Sequence, residues 1–217
     1  MLIDYVPVLG LRLTTPRLEL RLPEPEELAA LAEVAAAGIH EPEYMPFVKP
    51  WTLEPAETIK RATVLGHWKQ LGQWKPEDWW LNLTVFFEGA PVGTQNLRAQ
   101  DFAVTRSVGS GSWLGLPFHG RGLGTEMRAA ALHLAFAGLG AEEAVSVAFA
   151  DNKASQAVSA KFGYVPDGLS RRSSEGVLRF DQRLLLSREA WERHRNIEVT
   201  VEGLEPCLPM FGLPAAH

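Results

Sequence analysis

Disulfide chemistry is closed to this chain, which holds a single cysteine, Cys207, among 217 residues. One thiol forms no internal disulfide and no cysteine-based zinc site, and such sparing use fits a reducing compartment. Also missing is any apolar run near the roughly 18 residues that span a bilayer. Residues 1–18 lack the apolar core and cleavage site of a signal peptide. There is no basic excess: 21 Lys and Arg stand against 26 Asp and Glu, net −5, which argues against a dedicated nucleic-acid binder. Repeats and low-complexity tracts are absent. The expectation is a cytoplasmic protein with no nucleic-acid, membrane or metal partner. Its 46% hydrophobic and 22% charged residues suit one folded domain with an extension.

What is present reads as alternating strands and helices. "RLELRL" (17–22) alternates as a strand does. Residues 23–38 form a helix, with prolines at the start, Glu26 and Glu27 in the first turn and Gly38 as the stop. A Pro- and aromatic-rich loop leads to a second helix over 52–72. "WWLNLTVFFEGAPVGTQNLRA" predicts two strands around an "EGAP" turn. "VTRSVGSGSWLGLP" is a strand whose internal glycines suggest a bulge or a close backbone approach. Leu123, Met127, Ala130, Ala131 and Leu134 then fall on one helical face. Residues 142–150 read as a strand with Val145, Val147 and Phe149 on one face. A short helix over 151–163 follows, capped by Asp151 or Asn152 and stopped by Gly163. A strand over 177–187, a short helix and the alternating "IEVTVEGL" complete the chain. This order predicts an α/β domain with a mixed sheet.

The stretch with most chemical content is "FHGRGLGTEMRAAALHLAF", residues 118–136. Gly120, Gly122 and Gly124 sit at every second position and run directly into a helix. Glycine is a poor helix former, so the cluster marks either a plain junction or a backbone opened toward an anion. The dinucleotide fingerprint G-x-G-x-x-G does not fit this spacing, and neither a P-loop nor a G-x-S-x-G elbow is present. A helix start leaves N–H groups unpaired at the positive end of the dipole. That is a ready anion site, and Arg121 adds charge.

"SWLGLPFHGRGLGTEM" resembles the acyl-CoA-binding motif of the GNAT N-acyltransferases, Q/R-x-x-G-x-G/A. His119 stands at the Q/R position, Gly122 and Gly124 at the two small positions, and Thr125 next in the helix. "ADNKASQAVSAKFGYVPDG" is similar to the family's second CoA element, N-x-x-S followed by an apolar helix. "TTPRLELRLPEPEELAALAEV" resembles the opening of the RimJ/RimL-type subgroup. The resemblance covers roughly residues 12–187 and implies a mixed, mostly antiparallel central sheet flanked by helices. It assigns residues 1–187 to the acyltransferase domain and 188–217 to a C-terminal αβ extension. His119 departs from the motif, which leaves the backbone role of the loop intact.

The resemblance further implies an acyl-CoA co-substrate, acetyl-CoA or another, and no metal. Its pyrophosphate would lie on the N–H groups of Gly120, Arg121, Gly122, Gly124 and Thr125. Its pantetheine would run beside Trp113, Leu114 and Leu116, as an added strand does. The Leu114 N–H would hold the developing oxyanion. In this subgroup the serine of N-x-x-S lies near the CoA sulfur, which places Ser155 there as a donor. Asn152 caps its helix or bonds pantetheine, or does both. The acceptor would be an amine of a small molecule, a protein N-terminus or a lysine. A general base is harder to find. The strand before the glycine loop has no carboxylate, leaving Asp78, Asp101, Asp181, His40, Glu41 and Glu43 as candidates.

Other features add expectations. Trp51, Trp68, Trp74, Trp79 and Trp80 cluster and read mainly as core, while His40 and His67 read as surface residues or helix-end partners. Tyr44, Met45 and Phe47 in the loop joining the first helices offer apolar lining. Lys49 and Arg98 are cations available to an anionic acyl group such as succinyl. The tail holds Leu204, Leu208, Met210, Phe211 and Leu213, surface that is costly to leave in water at about 25 cal/mol per Å². It is expected on its own sheet or on a second copy, with a homodimer as the proposed outcome. The rival to an enzyme is an inactive CoA-binding sensor or interaction module.

Overall fold

A computed structural model describes residues 1–47, 49–174 and 176–215; the tail's residues 216 and 217 lie outside the described residues. Two 3-10 turns (Leu2–Asp4 and Pro7–Gly10) precede a short strand β1 (Arg12–Thr14) and β2 (Leu18–Arg21). Helix α1 (Pro25–Ala37) follows, with proline in its first turn and a reciprocal box between Glu24 and Glu27, the arrangement that satisfies orphan N–H groups. Helix α2 (Ala56–Gly72) ends at the expected glycine but begins four residues later than the sequence suggests. Pro55 holds Glu54 extended (φ −69°, ψ 160°), because a residue before proline is pushed out of the helical region.

Strands β3 (Asp78–Phe87) and β4 (Ala90–Gln100) form the expected hairpin. Glu88 and Gly89 make its turn, both at positive φ, so the two-residue connection matches the twist of its strands. A single turn α3 (Phe102–Thr105), not foreseen, leads into β5 (Ser107–Leu114). Helix α4 (Leu123–His133) runs on through a π turn at Leu134–Gly138. Then come β6 (Glu143–Phe149), α5 (Lys153–Lys161), β7 (Val165–Ser174), β8 (Val177–Ser187), α6 (Arg188–His194) and β9 (Thr200–Glu202). The strands join in one sheet, ordered β7-β8-β6-β5-β4-β3-β2-β1-β9. Its neighbours are antiparallel except β5 and β6, which run parallel.

Register fixes which side chains share a face. Asn82, Asn96 and Gly111 are partners across β3, β4 and β5, on the face that carries α1 and α2. Ser110, Ser112 and Leu114 point to the opposite face, with α4. The expected apolar stripe of α4 is buried, but so are Glu126 and Arg128, each 5% exposed. On β6 the valines do share a face, yet Ala144 and Ser146 take the core side and Val147 stays 42% exposed.

Some expectations need correction. Of the clustered tryptophans only Trp79 is fully buried, whereas Trp68 and Trp80 are exposed and Trp51 is half-buried. His67 is buried rather than superficial, and burial pushes its pKa down. The tail lies on its own chain. Strand β9 extends the sheet beyond β1, and Cys207 and Phe211 are fully buried. The Phe211 ring packs 4.9 Å from Trp79 and 5.3 Å from Trp74, and Trp74 Nε1 donates to the Met210 carbonyl at 2.7 Å. The tail's apolar side chains are thus covered within the chain, the first of the two placements expected. We expect Phe211→Ala to cost about 3–5 kcal/mol, read from the urea unfolding midpoint; an unchanged midpoint would contradict this packing.

Candidate active site

Between β5 and β6 the sheet opens. Their pairing ends at Ser110 and Ser146, although β5 continues to Leu114 and β6 to Phe149. Gly111 to Leu114 and Val147 to Ala148 then line one cleft of about 1060 Å³. The Gly115 N–H bonds Val92 O at 2.8 Å toward β4. Antiparallel ladders alternate, so the N–H and C=O of Leu114 and Ser112 point the other way, into the opening. On the far wall, Ala150 N–H bonds Phe180 O on the β8 side, which turns the polar groups of Val147 toward β5. The notch is a pair of sheet edges facing each other beyond the last rung.

The glycine loop closes the mouth of this notch. Gly122 caps α4 at φ 79°, ψ −4°, a left-handed conformation open to glycine. Thr125 and Glu126 N–H groups bond the Gly122 carbonyl, leaving the N–H groups ahead of them without a helical acceptor. A Cβ on Gly124 would meet only Leu114 Cδ1, at 3.8 Å. His119 is fixed: its Nε2–H donates to Leu114 O at 2.9 Å, since a carbonyl only accepts. Lys161 Nζ lies 3.4 Å from Thr125 Oγ1 and, with Lys153, lines the cleft.

Two residues named from the sequence stand elsewhere. Leu116 gives its N–H to Gly38 O at 3.0 Å and lies outside the cleft lining, so it has no free donor for a ligand. Arg121 packs its guanidinium 4.8 Å over the Phe87 ring, also outside the lining. The sequence reading missed what holds the loop instead. Glu126 accepts from Thr15 Oγ1 (2.7 Å), the Arg17 N–H (2.8 Å) and Arg17 Nε (2.7 Å), while Arg17 Nη1 donates to Arg121 O at 3.1 Å. A buried carboxylate in the first turn of α4 thus pins the loop to the β1–β2 turn.

At the other side of the mouth, Asn152 is the cap of α5, its Oδ1 accepting from Ser155 N–H at 3.0 Å. Asn152, Ser155 and Trp113 all line the cleft. Tyr44 reaches across from the loop between α1 and α2 and donates to Asp151 Oδ1 at 2.9 Å, while Arg179 pairs with Asp151 at 3.3 Å. Burial and the Asp151 carboxylate push the Tyr44 phenol up to about 12. Phe47 lines the cleft with Tyr44, and Met45 does not. Among the base candidates, Asp78, Asp101, Asp181 and Glu43 lie outside the lining, and Asp181 is buried against Arg172. His40 and Glu41 are at the wall. Both His40 nitrogens are engaged, Nδ1 with Glu41 O (2.8 Å) and Nε2 with Thr52 Oγ1 (2.7 Å). Lys49 and Arg98 are outside the lining as well, Arg98 resting on Trp80. Among the described residues no group of three or more His, Cys, Asp or Glu is placed to hold a metal ion.

A sheet split between two parallel strands, with a glycine-led helix at the opening, is an arrangement with relatives. Residues 17–165 match the acetyltransferase (GNAT) domain family, and the chain belongs to that family. Among solved structures it is similar to a GCN5-related N-acetyltransferase from Brucella melitensis, at 16% identity and a TM-score of 0.67, covering 85% of this chain and 81% of that one. It is also similar to Mycobacterium smegmatis RimJ, solved in complex with a CoA disulfide (19%, TM-score 0.64, 86% and 94% covered). RimL, a ribosomal-protein alpha-N-acetyltransferase solved with coenzyme A, is similar at 17% (TM-score 0.61, 81% and 97% covered). These likenesses establish the fold, a mixed α/β domain with one largely antiparallel open sheet flanked by helices.

The Glu126 anchor is open to test. Glu126→Gln keeps an acceptor for Thr15 but removes the charge facing Arg17. We expect a stability loss of about 1–2 kcal/mol, modest because Arg17 is half exposed. Equal urea midpoints for the two proteins would show that the pair does not anchor the loop.

Proposed function

We propose that this chain is an acyl-CoA-dependent N-acyltransferase that moves an acyl group to a primary amine by direct attack on the thioester. The observation that carries the reading is the notch, because the unpaired Ser112 backbone, the Leu114 N–H and the Val147 carbonyl suit an extended amide chain such as pantetheine. Gly120 to Thr125 would hold the pyrophosphate on free N–H groups, with Lys153 and Lys161 supplying the positive charge that Arg121 does not. Pantetheine entering past Leu114 brings the thioester to the N–H of Leu114 or of Ser112, one rung deeper. Either N–H is a donor for the oxyanion.

In the reaction the amine nitrogen attacks the thioester carbon, the C–S bond breaks and an amide forms. The proton lost by nitrogen leaves through water or the thiolate, and Ser155 is the donor that would stabilise charge on sulfur. Tyr44 stays protonated at neutral pH and holds Asp151 rather than acting as base. Orientation in the cleft supplies rate without a dedicated base. An α-amine, with a pKa of about 7.7–8.0 against about 10.4 for lysine, is the easier acceptor. A likeness to RimJ and RimL, and the opening motif over residues 12–32, support the RimJ/RimL-type subgroup. Turnover of acetyl-CoA with any member of an amine panel would exclude the sensor alternative.

Two variants check the assignment. Gly124→Val adds a branched side chain at the pyrophosphate position, in space that is open in the free protein. CoA affinity by calorimetry should fall at least about tenfold with the melting temperature retained; unchanged affinity would misplace the pyrophosphate. Ser155→Ala should lower kcat by roughly tenfold while CoA binding holds, because the contact strengthens as sulfur gains charge. An unaltered kcat leaves Ser155 as a helix residue only. Because the free amine is the nucleophile, kcat/KM should rise with pH up to about the acceptor's pKa; a rate falling with pH over that range would contradict direct attack.

A further inference from the structure

Arg128 stands one turn beyond Gly124 on α4, facing the cleft. It is 5% exposed, and its Nε and Nη1 are buried with no hydrogen-bond partner among the described residues. The nearest acid in sequence, Glu126, is committed to Arg17 and Thr15. A guanidinium is always charged and only donates, and a buried charge without a partner is strongly unfavourable. Two hydroxyls stand beside it in the same condition. Tyr164 Oη and Ser110 Oγ are both buried without a partner. Burial raises the Tyr164 pKa, which keeps the phenol a neutral O–H donor. Ser110 pairs in register with Ser146, the last rung before the notch opens. Three neighbouring buried polar groups with unfilled donors are therefore gathered on this side of the notch, Arg128 and Ser110 in its lining and Tyr164 in reach of both from outside it.

Their complement is an anion with planar oxygens, and a carboxylate meets the fork of an arginine in that way. The position decides which reactant carries it. Arg128 and Ser110 lie on the α4 side of the sheet, opposite the α1–α2 loop that borders the open side of the cleft. A group arriving at the apex from the notch is the far end of the acyl chain. From Ser112 to Ser110 the strand advances roughly 7 Å, the span of a succinyl or glutaryl chain and its hydrogen bonds.

We propose that the acyl donor is a CoA thioester whose acyl group ends in a carboxylate, received by Arg128 and Ser110, with Tyr164 supporting them from outside the lining. The proposal rests on reading the cleft as a CoA site and names the donor class for it. Transfer would leave the distal carboxylate untouched and place it on the new amide. Lys49 and Arg98 lie outside the cleft lining.

Calorimetry with CoA, acetyl-CoA, succinyl-CoA and free succinate tests it. The protein should bind succinyl-CoA at least about tenfold more tightly than acetyl-CoA. Arg128→Met should erase that preference while keeping acetyl-CoA affinity and a melting temperature no lower than the parent's. Ser110→Ala, a milder change, should reduce the preference without touching the fold. Equal affinity for the two thioesters, or a preference that survives Arg128→Met, overturns the proposal while leaving the CoA site standing. Free succinate binding as tightly as succinyl-CoA also overturns it, since the anion site would then be independent of the donor. Failure to bind CoA or either thioester overturns both this proposal and the reading of the cleft beneath it.

Discussion

Hydrogen bonding that stops halfway along two parallel strands is the constraint on which the rest of this structure turns. Backbone N–H and C=O groups are obligatory partners, and leaving them unmade in a partly buried cleft is costly. β5 and β6 accept that cost beyond Ser110 and Ser146, so the sheet has a vacancy shaped for one extended chain. The elements around it are arranged on this gap. Gly122 starts α4 at its mouth, Asn152 starts α5 on the opposite lip, and Tyr44 spans the opening to Asp151. The glycines inside β5 serve the same region. A Cβ on Gly111 would lie 3.2 Å from Asn96 Nδ2, and one on Gly109 would lie 3.1 Å from Arg98 Nε. Their absence lets long polar side chains of β4 lie across the strand.

Local rules made much of this legible in the sequence. The Glu88–Gly89 hairpin, the Glu24–Glu27 box, the Asn152 cap and the stop at Gly163 each depend on residues a few positions apart. The glycine loop was readable for the same reason, since a spacing of glycines before a helix declares its geometry. What escaped depends on distance. Glu126 bonds Arg17 across 109 residues and Tyr44 bonds Asp151 across 107, and no periodicity reports such a pair. Arg121 seemed the cation of the loop because it sits among the glycines, but Phe87 offers its ring a better seat. Arg128 is buried on α4, and the apolar periodicity of that helix does not report a charge held inside. β7 carries Pro166, Asp167 and Gly168, which mark it as a turn; it survives as a strand because it is at the edge and pairs only with β8, around an irregularity at Pro166 and Leu169.

The tail shows how packing, rather than propensity, decides a terminus. "LEPCLPMFGLP" holds prolines that prevent a regular helix, and its apolar side chains had to be covered by something. Trp74 and Trp79 stack with an interplanar angle of 17° and take Phe211 edge-on, so the segment becomes part of the core. Cys207 is carried in with it, and burial pushes its thiol up to about 11, which makes it a packing residue and a poor nucleophile. Neither the tail nor the far edge strands touch the notch, which leaves the cleft free to be shaped by β5, β6, α4 and α5.

The account stands on the notch taking an extended ligand as an added strand, and backbone amide exchange reads that directly. On saturation with CoA, the amides of Ser112 and Leu114 should slow together with those of residues 120–124, while β1, β2 and the tail stay unchanged. Protection confined to other elements, with the amides of Ser112 and Leu114 exchanging as fast as in the free protein, would contradict it.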